Sequence, residues 1–595
     1  MTPPERGIPL APDTSELVIH DMTLSEKIGQ MTQVSNDSIE PAEVAVHAIG
    51  SVLSGGNGNP SPNSPEAWLD MVGAFADAAS QTRLGIPLIY GVDGVHGHSN
   101  VRGATVFPHN IGIGAIGDAT LVEQIGRATA TEMRATRVDW TFAPTVAVAQ
   151  DIRWGRTYES YGRDPDLVGR LGAALVTGLS SRDDPSRRVL PCAKHFVGDG
   201  GAQWGTVDRK PWMDWWDGWG TSWSIDQGDA RISEAELRER HLAPYVSAIA
   251  AGVMSIMASY SSWNGVKLHS HAGLLTTVLK EELGFEGFII SDWMGVDQIE
   301  ASYEDSVVRA INAGIDMVMV PIDYQRFMRV MHGAVADGRI AIERIDDAVR
   351  RILRTKRWLA SGAVTGEQPP LSAVGSPDHR RLAATAARRS AVLLKNERAL
   401  PLEGCREILV AGQAADDIGL QCGGWTVGWQ GGEGPTTPGV TFLRALEERF
   451  DGTVTFAPTG SDGHDTTAEV GIVLAAEEPY AEGPGDRAVP DVRPDDRIVF
   501  ERMRARCRTL ILVVYSGRPL VISDMLDRSD AVIAAWLPGS EATELPDLLL
   551  GRSPFEGRLP QPWPASPDDL APDAESSLFP VGHGLRTLHT TGGHR

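Results

Sequence analysis

The chain has 595 residues, too many for one hydrophobic core, so two or three domains are expected. Its 42% hydrophobic and 22% charged residues are ordinary for a globular protein. Lys and Arg number 54 against 78 Asp and Glu, and the formal charge of −24 argues against nucleic acid and anionic membrane surfaces as partners.

The opening stretch MTPPERGIPLAPDTSELVIHDM carries no apolar core of signal-peptide length, and no run of about 18 apolar residues occurs along the chain. A cytoplasmic setting without a membrane span is therefore expected. The four cysteines, Cys192, Cys405, Cys422 and Cys507, stand at no CxxC spacing, which suggests neither a zinc ribbon nor a dense disulfide framework.

Short apolar strands then alternate with amphipathic helices. Strands are predicted at 49–56, 86–93, 140–146, 189–198, 255–263, 287–293 and 317–323. Helices between them include Ala119 to about Thr136 and Glu234 to about Ala251. Near-continuous apolar strands separated by helices indicate a parallel sheet covered by helices. Seven or eight such units suggest an α/β fold of the (β/α)8 barrel type over residues 1–357, although no eighth strand stands out. Residues 342–360 read as a closing helix, and 358–380 as a linker rich in Gly, Pro and Ser. The pattern restarts over 381–590, with strands at 407–412, 470–478, 510–517 and 531–539, as in a smaller doubly wound α/β sandwich domain.

The stretch EGFIISDWMG (286–295) ends an apolar strand in Asp292, beside Ser291 and Trp293. For an isolated case a solvated strand end is the commoner meaning. Asp93 and the Lys194–His195 pair also sit at the C-terminal ends of predicted strands, with Arg156 just beyond one. Barrel chemistry occurs at that face, and four such sites together favour a catalytic Asp292.

These stretches carry a resemblance. YGVDGVHGHSNVRGATVFPHNIGIGA (90–115), DIRWGRTYESYGRDP (151–165), CAKHFVGDGG (192–201), GFEGFIISDWMGVD (284–297), QCGGWTVGWQG (421–431) and AAWLPGSEA (534–542) resemble glycoside hydrolase family 3, in its two-domain β-glucan exohydrolase and β-glucosidase branch. The resemblance implies that Asp292 is the nucleophile. It implies that Asp93, Arg156, Lys194 and His195 bind the hydroxyls of the terminal sugar, and that Tyr260 lines that subsite. Trp293 and Trp429 fall on two aromatics that clamp the next sugar. Glu482, in EEPYAEGPGD (477–486), falls on the proton donor, supplied by the second domain.

The chemistry asks for these residue types. A retaining glycosidase needs one carboxylate to attack the anomeric carbon and one carboxylic acid to protonate the leaving oxygen. Nearby cations favour the ionised nucleophile, and burial favours the protonated acid. Asp199 stands where the N-acetylhexosaminidase branch carries a His, which disfavours that specificity. Trp293 resembles the glucosidase branch rather than the β-xylosidases, which carry a smaller residue there. The implied activity is that of a retaining, exo-acting β-D-glucosidase acting on a small β-glucoside or β-gluco-oligosaccharide, with no cofactor and no metal. A β-xylosidase-like enzyme of the same family is the alternative.

Two rival classes find partial support in the sequence. Gly112-Ile-Gly114-Ala-Ile-Gly117 matches G-x-G-x-x-G, but Pro108 interrupts any strand feeding it, so a tight turn is the expected use of these glycines. His96 and His98, with Lys194, His195 and Asp292, superficially suggest a metal-dependent barrel amidohydrolase, for which an H-x-H pair is weak evidence. A silent sugar-binding relative is disfavoured by the presence of both carboxylates. One segment departs from the family resemblance: residues 203–229 carry six Trp, at 204, 212, 215, 216, 219 and 223. Their expected uses are extra aromatic subsites or a lid, or else packing into a neighbouring domain or a second subunit as a homo-oligomer.

Overall fold

A computed structural model of the chain describes residues 15–215, 223–363, 367–461, 467–572 and 576–587. Eight parallel strands form the first sheet. They are β1 (Thr32–Ser35), β2 (Ser51–Ser54), β3 (Ile89–Val92), β4 (Trp140–Thr141), β5 (Leu190–Phe196), β6 (Ser255–Ala258), β7 (Phe288–Ile290) and β8 (Val318–Met319). Their spatial order is β7-β6-β5-β4-β3-β2-β1-β8. A bridge between Ile290 and Met317, backed by the Met317 N–H donating to the Ile289 carbonyl at 3.0 Å, brings the two ends of the sheet together as a barrel.

The strand missing from the sequence reading is β1. Its residues are all buried, but Thr32, Gln33 and Ser35 are polar, and Gln33 Nε2 donates to Ser51 Oγ at 2.9 Å inside the barrel. Val34 is its only apolar residue, so no apolar run marks it. The other seven strands fall within their predicted spans but are shorter.

The second sheet has six strands: β9 (Val392–Asn396), β10 (Glu407–Ala411), β11 (Thr453–Phe456), β12 (Ala468–Ala476), β13 (Cys507–Tyr515) and β14 (Ala531–Trp536). The order β9-β14-β13-β12-β10-β11 is parallel except for β9, which runs antiparallel to β14. The strand order reverses between β10 and β12. In an open α/β sheet that switch point is where loops diverge and a ligand crevice forms.

The glycines of G-x-G-x-x-G do not form a phosphate loop. Gly112 and Gly114 lie inside the helix Asn110–Ile116, and only Gly117, at φ 67°, caps it in a left-handed turn. A Cβ on Gly114 would fall 1.8 Å from the Tyr161 carbonyl oxygen, so this glycine allows close backbone packing. No described helix is long and apolar enough to cross a membrane.

The predicted closing helix spans Ile342–Ala363 and is tied to the barrel floor by a buried lysine. Lys356 Nζ donates to Gln30 Oε1 (2.7 Å), the Gly50 carbonyl (2.8 Å) and the Pro87 carbonyl (2.7 Å). Lys356→Met should leave these acceptors unsatisfied and cost about 2 kcal/mol or more. The urea-unfolding midpoint should fall while activity at 25 °C is retained.

Candidate active site

All eight barrel strands deliver residues to one cavity of about 280 Å³ at their C-terminal ends. That is near the small end of the range for small-molecule sites, roughly 300–1,000 Å³. The lining includes Ser35 at the end of β1 with Asp37 beyond it, Gly55 to Gly58 after β2, Asp93 after β3, and Phe142 and Arg156 after β4. Lys194 and His195 come from β5, Met257 and Tyr260 from β6 and the loop after it, Asp292 and Trp293 follow β7, and Met319 ends β8. Two loops of the second domain close the cavity. The loop after β10 brings Trp425 and Trp429, and the loop after β12 brings Glu482. These are the two loops that diverge at the switch point. The nine residues singled out in the sequence therefore meet in one place.

A regular strand would send Lys194 and His195 to opposite faces. The β5–β6 register shifts between Ala193 and Phe196, and both side chains line the cavity. Such a bulge re-aims a side chain beside a site. Lys194 Nζ donates to Asp93 Oδ1 at 3.2 Å and lies 5.6 Å from the Trp425 ring centroid.

Arg156 is the hub. Its Nε and Nη2 donate to the two oxygens of Glu159 at 2.8 and 2.9 Å, and Nη1 donates to Glu482 Oε1 at 3.0 Å. Nη2 also lies 3.1 Å from His195 Nε2. A guanidinium has no acceptor, so His195 Nε2 must present its lone pair, and Nδ1–H donates to Asp199 Oδ2 at 2.9 Å. Burial, with the Arg156 and Lys194 charges, pushes the His195 pKa well below its ordinary value, which agrees with a neutral ring.

Asp292 is 8% exposed. Its Oδ1 accepts the Trp293 N–H at 2.7 Å, and its own N–H donates to His269 Nε2 at 2.9 Å. Oδ2 is buried with no protein hydrogen-bond partner, 3.7 Å from His195 Nε2. Burial pushes the Asp292 carboxyl up to about 6, against the pull of Arg156 and Lys194. Glu482, at φ 58°, sits in a backbone conformation that L-residues rarely adopt. Burial, reinforced by the charges of Asp226 and Asp292, pushes its carboxyl above the usual range despite Arg156.

The tryptophan walls depend on two consecutive glycines. A Cβ on Gly55 would fall 2.9 Å from the Trp293 ring, and one on Gly56 would fall 2.6 Å from Trp429 Cβ. Asn57 Oδ1 accepts the Trp429 N–H at 3.1 Å. Tyr260 Oη donates to the Trp293 carbonyl at 2.6 Å.

Sequence reasoning missed Trp425, whose Nε1 donates to Glu159 Oε1 at 3.1 Å, and the buried Asp226. Both lay inside stretches already singled out, and only their neighbours on the second domain and the barrel reveal them. The H-x-H pair is structural. His96 Nδ1–H donates to the Phe107 carbonyl, its Nε2 accepts from Thr426 Oγ1, the ring stacks on His109, and His98 bonds Thr136 Oγ1. Among the described residues no group of three or more His, Cys, Asp or Glu side chains is arranged to hold a metal ion, which leaves the amidohydrolase alternative without a ligand set.

Of the six insertion tryptophans, Trp216 and Trp219 lie outside the described residues. Trp204 stacks under Arg153 at 4.8 Å, Trp212 Nε1 donates to the Asp297 carbonyl at 2.9 Å, and Trp223 is buried. Trp215 is 61% exposed.

The barrel mouth thus gathers carboxyl groups, buried cations and tryptophan walls, and the second domain closes it with one more carboxyl. Residues 23–355 match the glycosyl hydrolase family 3 N terminal domain, and residues 391–587 match the glycosyl hydrolase family 3 C-terminal domain. The chain belongs to glycosyl hydrolase family 3. It is 32% identical to a lysosomal beta glucosidase of Dictyostelium discoideum, over 95% of this chain and 74% of that protein. It is 28% identical to a beta-xylosidase of Formosa agariphila, over 86% of this chain and 76% of that protein. Among solved structures it is similar to a mutant of an exo-1,3/1,4-beta-glucanase from a Pseudoalteromonas species, with a TM-score of 0.87 and 38% identity over 96% of this chain and 94% of that one.

Arg156 spans three partners with one planar fork, which the single ammonium of Lys cannot reproduce. Arg156→Lys should keep the fold, by circular dichroism, and lower kcat/KM by about 10²-fold, the scale of a roughly 1 Å misplacement at a reacting centre.

Proposed function

We propose that this enzyme is a retaining, exo-acting β-D-glucosidase that releases glucose from the non-reducing end of β-glucosides or β-gluco-oligosaccharides. The observation that carries the reading is the pair of carboxyl groups on one small cavity, one from each domain. Burial pushes the Asp292 carboxyl up to about 6 and leaves one oxygen unpartnered, and Glu482 is held above the usual carboxylate range.

Asp292 Oδ2 attacks the anomeric carbon as the glycosidic C–O bond breaks, and the Glu482 proton passes to the leaving oxygen. The product of this half is glycosyl-Asp292. A water molecule then attacks the same carbon, gives its proton to Glu482, and releases Asp292. Two displacements at one carbon retain its configuration. In this reading Lys194, Asp93, Arg156 and His195, which line the cavity, hydrogen-bond the terminal sugar's hydroxyls, with Tyr260 lining the same subsite. Trp293 and Trp429 would flank the next unit. Support for the exo mode comes from the solved relative named an exo-glucanase and from the cap made by the second domain.

The test is product analysis on a β-1,3- or β-1,4-gluco-oligosaccharide by proton NMR. The first product should be single glucose units in the β configuration, from the non-reducing end. α-Glucose as first product would remove the retaining mechanism. Faster release of xylose than of glucose from matched aryl glycosides would favour the xylosidase alternative.

The pH dependence follows from the same pair. Activity needs Asp292 ionised and Glu482 protonated, so kcat/KM should fall below about pH 6 as Asp292 takes a proton. A second, alkaline limb should report Glu482. An unactivated β-glucobiose should show that limb, whereas with dinitrophenyl glucoside, whose leaving group departs unprotonated, kcat/KM should lose the alkaline limb and keep the acid one. An equal alkaline limb on both substrates would assign it to another group.

A further inference from the structure

The limb of the Trp-rich insertion from Trp223 to Asp226 lies on the loop that carries Glu482. Asp486, four residues beyond Glu482, is buried where the two meet. Its Oδ2 accepts the backbone N–H groups of Ser224 (2.9 Å), Ile225 (2.8 Å) and Asp226 (3.0 Å). Its Oδ1 accepts the Gly155 N–H at 2.9 Å, from the barrel loop that carries Arg156. One carboxylate of the second domain thus takes four N–H donors from two segments of the first.

Packing reinforces the grip. A Cβ on Gly483 would fall 2.2 Å from the Trp223 ring, and one on Gly155 would fall 2.0 Å from the Glu482 carbonyl oxygen. Asp226 in turn accepts Trp154 Nε1–H at 2.9 Å, so the limb is anchored to the barrel loop it clasps. Between these contacts Glu482 keeps its positive φ of 58°, a conformation that persists only when the surroundings over-determine it.

We propose that Asp486 is the positioning residue that locks the Glu482 loop onto the barrel, and that the Trp223–Asp226 limb of the insertion serves to supply three of its four donors. The inference rests on Glu482 being the acid/base. Asp486 touches no substrate in this scheme. It acts by fixing where the Glu482 carboxyl stands relative to Arg156 and the scissile oxygen.

The test compares two substrates that differ in their need for a proton. An unactivated β-glucobiose needs one, and dinitrophenyl glucoside does not. Asp486→Asn keeps the size of the side chain but sets an NH₂ against N–H donors. It should lower kcat for the glucobiose by about 10- to 100-fold, part of the roughly 10²–10⁴-fold that general acid catalysis supplies. KM should move by less than about threefold, and the pre-steady-state glycosylation rate with dinitrophenyl glucoside should stay within about threefold of the parent, as for a correctly placed nucleophile. Trp223→Ala, which leaves Asp486 and its donors in place, should show a smaller loss with the same selectivity, and it carries the test if Asp486→Asn does not fold. In a Glu482→Ala background Asp486→Asn should add nothing to the glucobiose loss. Equal losses on both substrates, or none, in folded variants would overturn the positioning role. If Glu482→Ala itself fails to discriminate between the substrates, the acid/base reading falls first, and the positioning inference with it.

Discussion

The arrangement of this enzyme turns on one buried cation. Arg156 sits in the barrel mouth with Glu159 beneath it and Glu482 of the second domain beside it. Removing a guanidinium from water is costly unless its donors are paired in good geometry. Glu159 satisfies two of them from three residues away, and burial notwithstanding, Arg156 and then Lys194 hold the Glu159 carboxyl below its ordinary pKa. Glu159 therefore balances the charge locally, and the remaining donors reach His195 and across the interface to Glu482. Catalytic geometry and domain packing are thus coupled: moving the second domain away would leave a donor of Arg156 without its carboxyl partner.

The interface is built to prevent that. Tyr158 Oη donates to the Tyr480 carbonyl at 2.6 Å, and the Arg518 guanidinium bridges the Gly485 carbonyl (2.7 Å) and the Arg153 carbonyl (3.0 Å). On the other side of the cavity Asn59 Nδ2 donates to the Val427 carbonyl at 2.6 Å. The doubly wound sheet explains why the second domain can do this. Its strand order reverses between β10 and β12, so the loops after these strands diverge and together cap one cavity. One brings the tryptophans and the other brings Glu482, a division of labour set by topology.

Much of this was legible in the sequence, for a physical reason. Strand-end carboxylates such as Asp93 and Asp292 follow apolar runs that sheet burial demands, so both the strand and its exception are visible. The residues that stayed hidden lack that contrast. β1 is polar because its side chains hydrogen-bond inside the barrel, as Gln33 does to Ser51. Trp425 and Asp226 gain their meaning from Glu159 and Trp154, partners 266 and 72 residues away in sequence. The glycines of the apparent dinucleotide motif belong to a helix pressed against Tyr161. The insertion was legible as an anomaly of composition, but its limb from Trp223 to Asp226 turns inward onto the chain itself, whereas Trp215 is exposed. That outcome follows from Trp223 meeting a glycine on the neighbouring domain, which no local pattern could signal.

Burial alone cannot distinguish the two carboxyl groups, because it pushes both upwards. The difference lies in what surrounds each. Asp292 is drawn down by Arg156 and Lys194 and by the Trp293 N–H, which donates to one of its oxygens. Glu482 shares Arg156 but also feels Asp226, Asp292 and Glu159, all of which disfavour its charge. These surroundings favour the ionised form of Asp292 and the protonated form of Glu482. In the proposed mechanism, formation of a glycosyl ester at Asp292 removes its charge, one of those that disfavour the ionised form of Glu482. The same Glu482 then becomes easier to ionise at the stage when a base is needed for water. The alternation of roles asked of a retaining enzyme follows from placing two carboxyl groups on one buried cavity, where the charge of the first sets the proton affinity of the second.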